Sequence, residues 1–162
     1  MVSNSFCSVF SARPIATAFL KGSEKYPKIH GIVSFYNTVG GVIVRAEISG
    51  LPQNTDVCKN PIFAFHIHSG DTCQNNHNEP FASAGGHYNP DNCPHPYHSG
   101  DMPPLFGVKG KAFSAFLTDR FTIPEIINKT VIIHARPDDF KSQPAGNSGE
   151  RIACGIITPT AR

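Results

Sequence analysis

Apolar and polar positions alternate along much of this chain, and Gly, Pro, Asn and Asp interrupt the alternation at short intervals. A period of two is that of a strand whose two sides meet different surroundings. Residues 14–21 read as a first strand, closed by Gly22. Across residues 29–36, Ile29, Gly31, Val33 and Phe35 share one face, and His30, Ile32, Ser34 and Tyr36 share the other. Gly40-Gly41 is a hairpin signal, and residues 42–48 return as the partner strand. Residues 50–60 are a turn-rich connection. In residues 62–68, Phe63, Phe65 and Ile67 face one way and Ala64, His66 and His68 the other. With the phenylalanines in the core, both histidines stand on the outer wall. Residues 109–117, 130–134 and 151–158 continue the series, and Thr130, Ile132 and His134 share a face. Residues 119–128 fit a strand or a short turn of helix. About eight short strands without a long helical period predict an all-β, antiparallel sandwich or barrel. It forms a single domain over residues 14–162, behind a poorly ordered segment 1–13.

Composition narrows this picture. A chain of 162 residues is one domain by length, and twelve Phe with no Trp predict a core of Phe, Ile and Val. A net charge of +2 argues against a nucleic-acid or membrane-surface protein and allows mild attraction for small anions. No apolar run approaches the ~20 residues of a spanning helix. Residues 1–13 lack a charged start followed by an apolar stretch, so no secretory signal is read. The expected compartment is cytoplasmic, the alternative being export by a route the sequence does not display. Five cysteines leave at least one free or paired outside the chain.

The chemistry concentrates in residues 85–101, GGHYNPDNCPHPYHSGD. His87, His95 and His98 fall eight and then three residues apart, and Asp101 follows after three more. Imidazoles plus one carboxylate suit a tetrahedral zinc ion. Three Gly and three Pro in this window exclude a regular helix or central strand. A long irregular loop that stays ordered needs an internal reason, and a bound metal supplies one. His66, His68 and His134 bring the candidate histidines to six of eight, too many for one four-coordinate ion. Two metals are the reading. His30 and His77 are taken as structural.

These residues carry a family resemblance. The motifs are Phe-His-Ile-His at 65–68, Ala-Gly-Gly-His-Tyr-Asn-Pro at 84–90, His-Ser-Gly-Asp at 98–101, Ile-His at 133–134 and Gly-Asn-Ser-Gly-Glu-Arg-Ile-Ala-Cys-Gly at 146–155. In this order and spacing, from about residue 15 to 157, the chain resembles the copper/zinc superoxide dismutases. The resemblance implies an eight-stranded antiparallel Greek-key β-barrel with long metal-binding loops. It implies copper bound by His66, His68, His87 and His134, and zinc by His87, His95, His98 and Asp101, with His87 shared between the ions. Asp138 would link His66 to His95. Arg151 would attract and orient a substrate anion, and His87 would take part in proton delivery. The implied activity converts two superoxide anions and two protons to oxygen and hydrogen peroxide, by Cu(II)/Cu(I) cycling beside a structural zinc.

Cys73 and Cys154 match the disulfide partners of that family, which leaves Cys7, Cys58 and Cys93 free. A Cys73–Cys93 bridge and no bridge at all are the rivals. The alternative function is a non-catalytic copper/zinc carrier or store on the same fold. Complete ligands and Arg151 favour the enzyme, and Cys-x-x-Cys or Met-rich segments expected of a carrier are missing. Expected partners are superoxide, a second copy if the chain is a homodimer rather than a monomer, and a copper donor. The short segment 140–145 resembles bacterial members of the family and implies that a charged steering loop is absent or reduced.

Overall fold

The computed structural model describes residues 11–54, 56, 61–76 and 79–161. Eight strands follow one another: β1 (Ala16–Gly22), β2 (His30–Thr38), β3 (Gly41–Ser49), β4 (Ile62–His68), β5 (Asp101–Phe106), β6 (Lys111–Thr118), β7 (Thr130–His134) and β8 (Arg151–Pro159). They form one sheet in the order β5-β4-β7-β8-β1-β2-β3-β6, with every ladder antiparallel. The connections β3 to β4 and β6 to β7 join strands that are not neighbours, which is Greek-key connectivity. The sheet curls into a nearly closed barrel, since its two end strands approach each other without a ladder. Phe35, Val44, Phe63, Phe65, Ile133 and Ile152 are among the side chains filling its interior.

A second, smaller apolar cluster lies on the outer face of β7 and β8. Phe81 and Ala84 pack there on Ile132 and Cys154, and Cys73 joins them. Cys73 and Cys154 are disulfide-bonded across 81 residues of sequence. Cys93 is free, whereas Cys7 and Cys58 lie outside the described residues. The expectation for residues 1–13 falls outside them too, except for 11–13, a bend leading into β1.

The structure adds one strand, shortens another and settles the segment 119–128. Residues 101–106, to which the sequence reading assigns no strand, contain Pro103 and Pro104, which lack the N–H a central strand requires. They form an edge strand, bonded only to β4, whose register shifts between Phe63 and Phe65 opposite the prolines. Edges and bulges are where a sheet tolerates proline. The strand expected from residue 109 begins at Lys111, because Lys109 and Gly110 (φ 48 and 75) turn the chain back on itself. Residues 119–128 contain one helical turn, α1 (Ile123–Ile126), opened by a capping box in which the Glu125 carboxylate accepts from the Thr122 amide, and the Thr122 hydroxyl donates to the same carboxylate. Among the described residues no helix is long and apolar enough to cross a membrane.

Candidate metal centre

The register of the sheet begins the site. β4 alternates, so Phe65 and Ile67 enter the core while His66 and His68 stand on the outer face, fully buried under the loops. Asp101 lies opposite His66 at the start of β5, and His134 ends β7 on the other flank of β4. The loop between β4 and β5 is fastened back onto the same strand. Ile67 N–H donates to Gly100 O (2.9 Å), Tyr88 N–H donates to Ile67 O (2.8 Å), and Gly100 N–H donates to Tyr88 O (2.8 Å). His87 therefore sits beside His68, bridged to it through the backbone.

Outer hydrogen bonds decide which ring nitrogens remain available. His66 Nε2 donates to Asp138 Oδ2 (2.8 Å), His68 Nδ1 to Gly85 O (2.8 Å) and His134 Nδ1 to Gly149 O (3.2 Å). Neutral imidazole has one N–H, so the opposite nitrogen of each carries a bare lone pair. His68 Nε2 and His134 Nε2 then face each other at 3.2 Å, and His66 Nδ1 and His87 Nε2 are buried without partners. Lone pairs converging in this way repel unless a cation lies among them. One donor from each of His66, His68, His87 and His134 falls within 4.8 Å of the others.

His87, His95, His98 and Asp101 form a second such set. Asp101 Oδ1 lies 2.7 Å from His87 Nδ1, and Oδ2 lies 3.0 Å from His95 Nδ1 and 3.3 Å from His98 Nδ1. His95 Nε2 donates to Asp138 Oδ1 at 2.9 Å, so one carboxylate holds a ring of each set. Gly146 makes room for this link: a Cβ there would overlap the Asp138 carboxylate and lie 2.7 Å from His95 Nε2. The first set is all imidazole, a donor set that serves copper in both oxidation states. Three imidazoles and a carboxylate fit tetrahedral zinc. His30 lies on the surface, its Nδ1 2.9 Å from Lys28 O, and His77 is outside the described residues.

Burial keeps His66, His68 and His134 neutral, the form that binds metal. It lowers His66 to about 4 from the ordinary value near 6.5, with Asp138 opposing, and takes His68 well below that value. It lowers His134 to about 3, helped by His66 and by the Arg151 charge. Burial alone would raise the carboxyls of Asp101 and Asp138. Hydrogen bonds from His87 to Asp101, and from His66, His95 and the Phe140 amide to Asp138, outweigh it and lower both.

A stability slope follows for the metal-free chain. Below about pH 6.5 the unfolded state takes up protons that buried His66, His68 and His134 refuse, so folding stability is lost as pH falls from 6.5 towards 4. The slope is of the order of 1.4 kcal/mol per pH unit for each such histidine. Urea unfolding of disulfide-intact apoprotein between pH 7 and 4.5 measures it, and a flat profile would contradict the neutral, buried assignment.

The family model of copper/zinc superoxide dismutase (SODC) matches residues 29–157. The chain belongs to the copper/zinc superoxide dismutase family. It is 33% identical over 145 residues to superoxide dismutase [Cu-Zn] 2 of Aquifex aeolicus (80% of each chain), and 33% identical over 160 residues to superoxide dismutase [Cu-Zn] of Legionella pneumophila (92% of each). Among solved structures, Cu/Zn superoxide dismutase from Brucella abortus superposes with a TM-score of 0.73 at 24% identity, covering 87% of this chain and 98% of that one, which speaks for the fold. A double mutant of a SOD-like protein from Bacillus subtilis gives 0.71 at 27% identity, covering 88% and 96%.

In this member of the copper/zinc superoxide dismutase family, Arg151 opens β8 beside the all-imidazole set. Its Nη1 donates to Phe81 O and its Nη2 to Gly85 O, both at 2.7 Å. Gly85 O also accepts from His68, so a single carbonyl positions a ring and the guanidinium together. Gly85 has φ 70 and ψ −154, a conformation that glycine adopts without strain. Two features escaped the sequence reading. Glu79 brings Oε1 within 3.5 Å of Arg151 Nε, and Arg120 reaches the backbone of the zinc-type loop. Neither sits in a motif, so only the folded arrangement reveals them.

Proposed function

We propose that this chain is a superoxide dismutase holding copper at His66, His68, His87 and His134 and zinc at His87, His95, His98 and Asp101. The observation that carries the reading is the placement of His87, whose Nδ1 is 2.7 Å from Asp101 in one donor set while its buried Nε2, unpartnered, belongs to the other. Copper held by His66, His68, His87 and His134 would supply the one-electron redox chemistry by which two superoxide anions and two protons give oxygen and hydrogen peroxide. Zinc has no redox chemistry and would hold the loop and the His87 ring.

The chain's own residues attract, orient and protonate. Arg151 is a fixed cation, because its two carbonyl anchors restrict the guanidinium and its side chain is only 14% exposed. A monoanion about 5 Å away gains roughly 3 kcal/mol at an effective dielectric near 20. A cleft of about 330 Å³ beside His134 is lined by Gln143, Pro144, Asn147, Ser148 and Gly149 among other uncharged residues. Arg151 is the fixed cation beside the all-imidazole set, partly offset by half-exposed Glu79, and exposed Arg136 adds a second positive charge at the cleft wall through Asn147. His87 Nε2 is the atom assigned to hold and hand over a proton for the peroxide product.

Metal analysis of purified protein, together with a dismutation assay after copper and zinc loading, tests the proposal. One copper and one zinc per chain with rapid dismutation are expected. Full loading without turnover would leave the carrier reading instead. Arg151→Ala is expected to lower kcat/KM about ten- to hundredfold, on the order of 1.4–2.8 kcal/mol of barrier, with metal content unchanged. Salt should slow the wild type more than the variant, because screening weakens a steering charge. Equal low-salt rates would remove Arg151 from the mechanism.

A further inference from the structure

The geometry points to Arg120 as the positioning residue of the zinc site, acting through the backbone of its ligands. This rests on the zinc assignment of His95, His98 and Asp101. Arg120 Nη1 lies 3.1 Å from Pro96 O, 3.2 Å from Asp101 O and 3.4 Å from His98 O. Two of those carbonyls belong to proposed zinc ligands, and the third lies between His95 and His98. The two N–H groups of this one nitrogen are shared among three carbonyls of one short segment, which gathers them together, and hydrogen bonds from a charged donor are stronger than neutral ones.

The platform behind Arg120 is rigid. Its own amide donates to Thr118 Oγ1 at the end of β6 (3.2 Å), and Phe121 and Ile123 just beyond it are buried in the core. The reach of the side chain is thus set by the barrel. The target segment is folded as two successive turns, Tyr97 N–H to Pro94 O (2.9 Å) and Asp101 N–H to His98 O (3.1 Å). His98 O accepts from Asp101 and from Arg120, while His98 N–H donates to Asp101 Oδ2 at 3.1 Å. Moving these carbonyls would therefore move the His98 ring and the Asp101 carboxylate.

Location explains why a side chain is needed here. Arg120 stands at the seam where β5 and β6 have no ladder between them, in a groove of about 380 Å³ shared with Pro96, Asp101, Met102 and Phe140. From the opposite flank Gln143 holds the segment at His95, accepting from its N–H at 3.0 Å and donating to its carbonyl at 2.8 Å. Arg120 supplies the matching hold from the β6 side.

The test uses copper- and zinc-loaded protein challenged with a chromogenic zinc chelator, and protein with cobalt at the zinc site for its visible absorption bands. Arg120→Gln should release zinc about ten- to hundredfold faster, the size of loss seen when residues orienting metal ligands are removed, and should shift the cobalt bands. Arg120→Lys, which keeps the charge but carries it on a flexible ammonium without the planar guanidinium's reach, should fall between, and covers the case in which the glutamine variant does not fold. Unchanged zinc release and cobalt bands, even with a lowered Tm, would reduce Arg120 to a structural residue and overturn the inference. Wild type without stoichiometric zinc would instead overturn the metal-centre reading, and this role with it.

Discussion

His87→Ala is expected to cost both metals and essentially all dismutation, a larger effect than loss of any other single histidine. The ring stands between the donor sets with one nitrogen towards each, and both sets fall to three donors without it. The substitution also deprives Asp101 of its 2.7 Å contact and opens a buried gap beside His66, whose ring centre is 4.0 Å away. Metal content by elemental analysis should fall well below one of each ion per chain. The spectrum of any copper retained should lose one of its four nitrogen ligands. A variant with both ions at full occupancy would show that the sites do not share this residue.

Removing the disulfide should be the largest stability effect outside the metals. Cys73 and Cys154 close a loop of 81 residues, which in the chain-entropy account contributes about 4–5 kcal/mol to folding. The bridge also lies in the outer apolar cluster with Phe81, and Phe81 O is one anchor of the Arg151 guanidinium. The Cys73→Ser/Cys154→Ser variant should therefore unfold at markedly lower urea, and its metal-loaded form should lose part of its dismutation rate as the anchors loosen. A wild-type unfolding midpoint would show that the bridge contributes nothing to the folded state.

What could be read from the chain depended on which physical signal each element carries. The period of two in residues 62–68 showed that Phe65 and His66 face opposite ways, and β4 places them so. The spacing of His87, His95, His98 and Asp101 pointed to a metal loop, but only the family resemblance divided six histidines between two ions. β5 was not read from the chain: Pro103 and Pro104 offer no N–H to a ladder, and no sequence signal marks the segment as an edge strand. Thr122-Ile-Pro-Glu125 carried a capping box that could have settled α1. Glu79 and Arg120 were illegible for another reason. Their partners, Arg151 and the segment from Pro96 to Asp101, come near only after the barrel has formed.

The Asp138 carboxylate has a consequence for metal supply. One of its oxygens orients His66 and the other orients His95, and Gly146 leaves the room in which the carboxylate can stand between them. An ion that settles either ring restrains Asp138, and through it the ring of the other site. Affinity coupling between two sites is reciprocal: whatever factor zinc adds to the hold on copper, copper adds to the hold on zinc. Scarcity of one ion would then loosen the other on this chain even when the second is abundant.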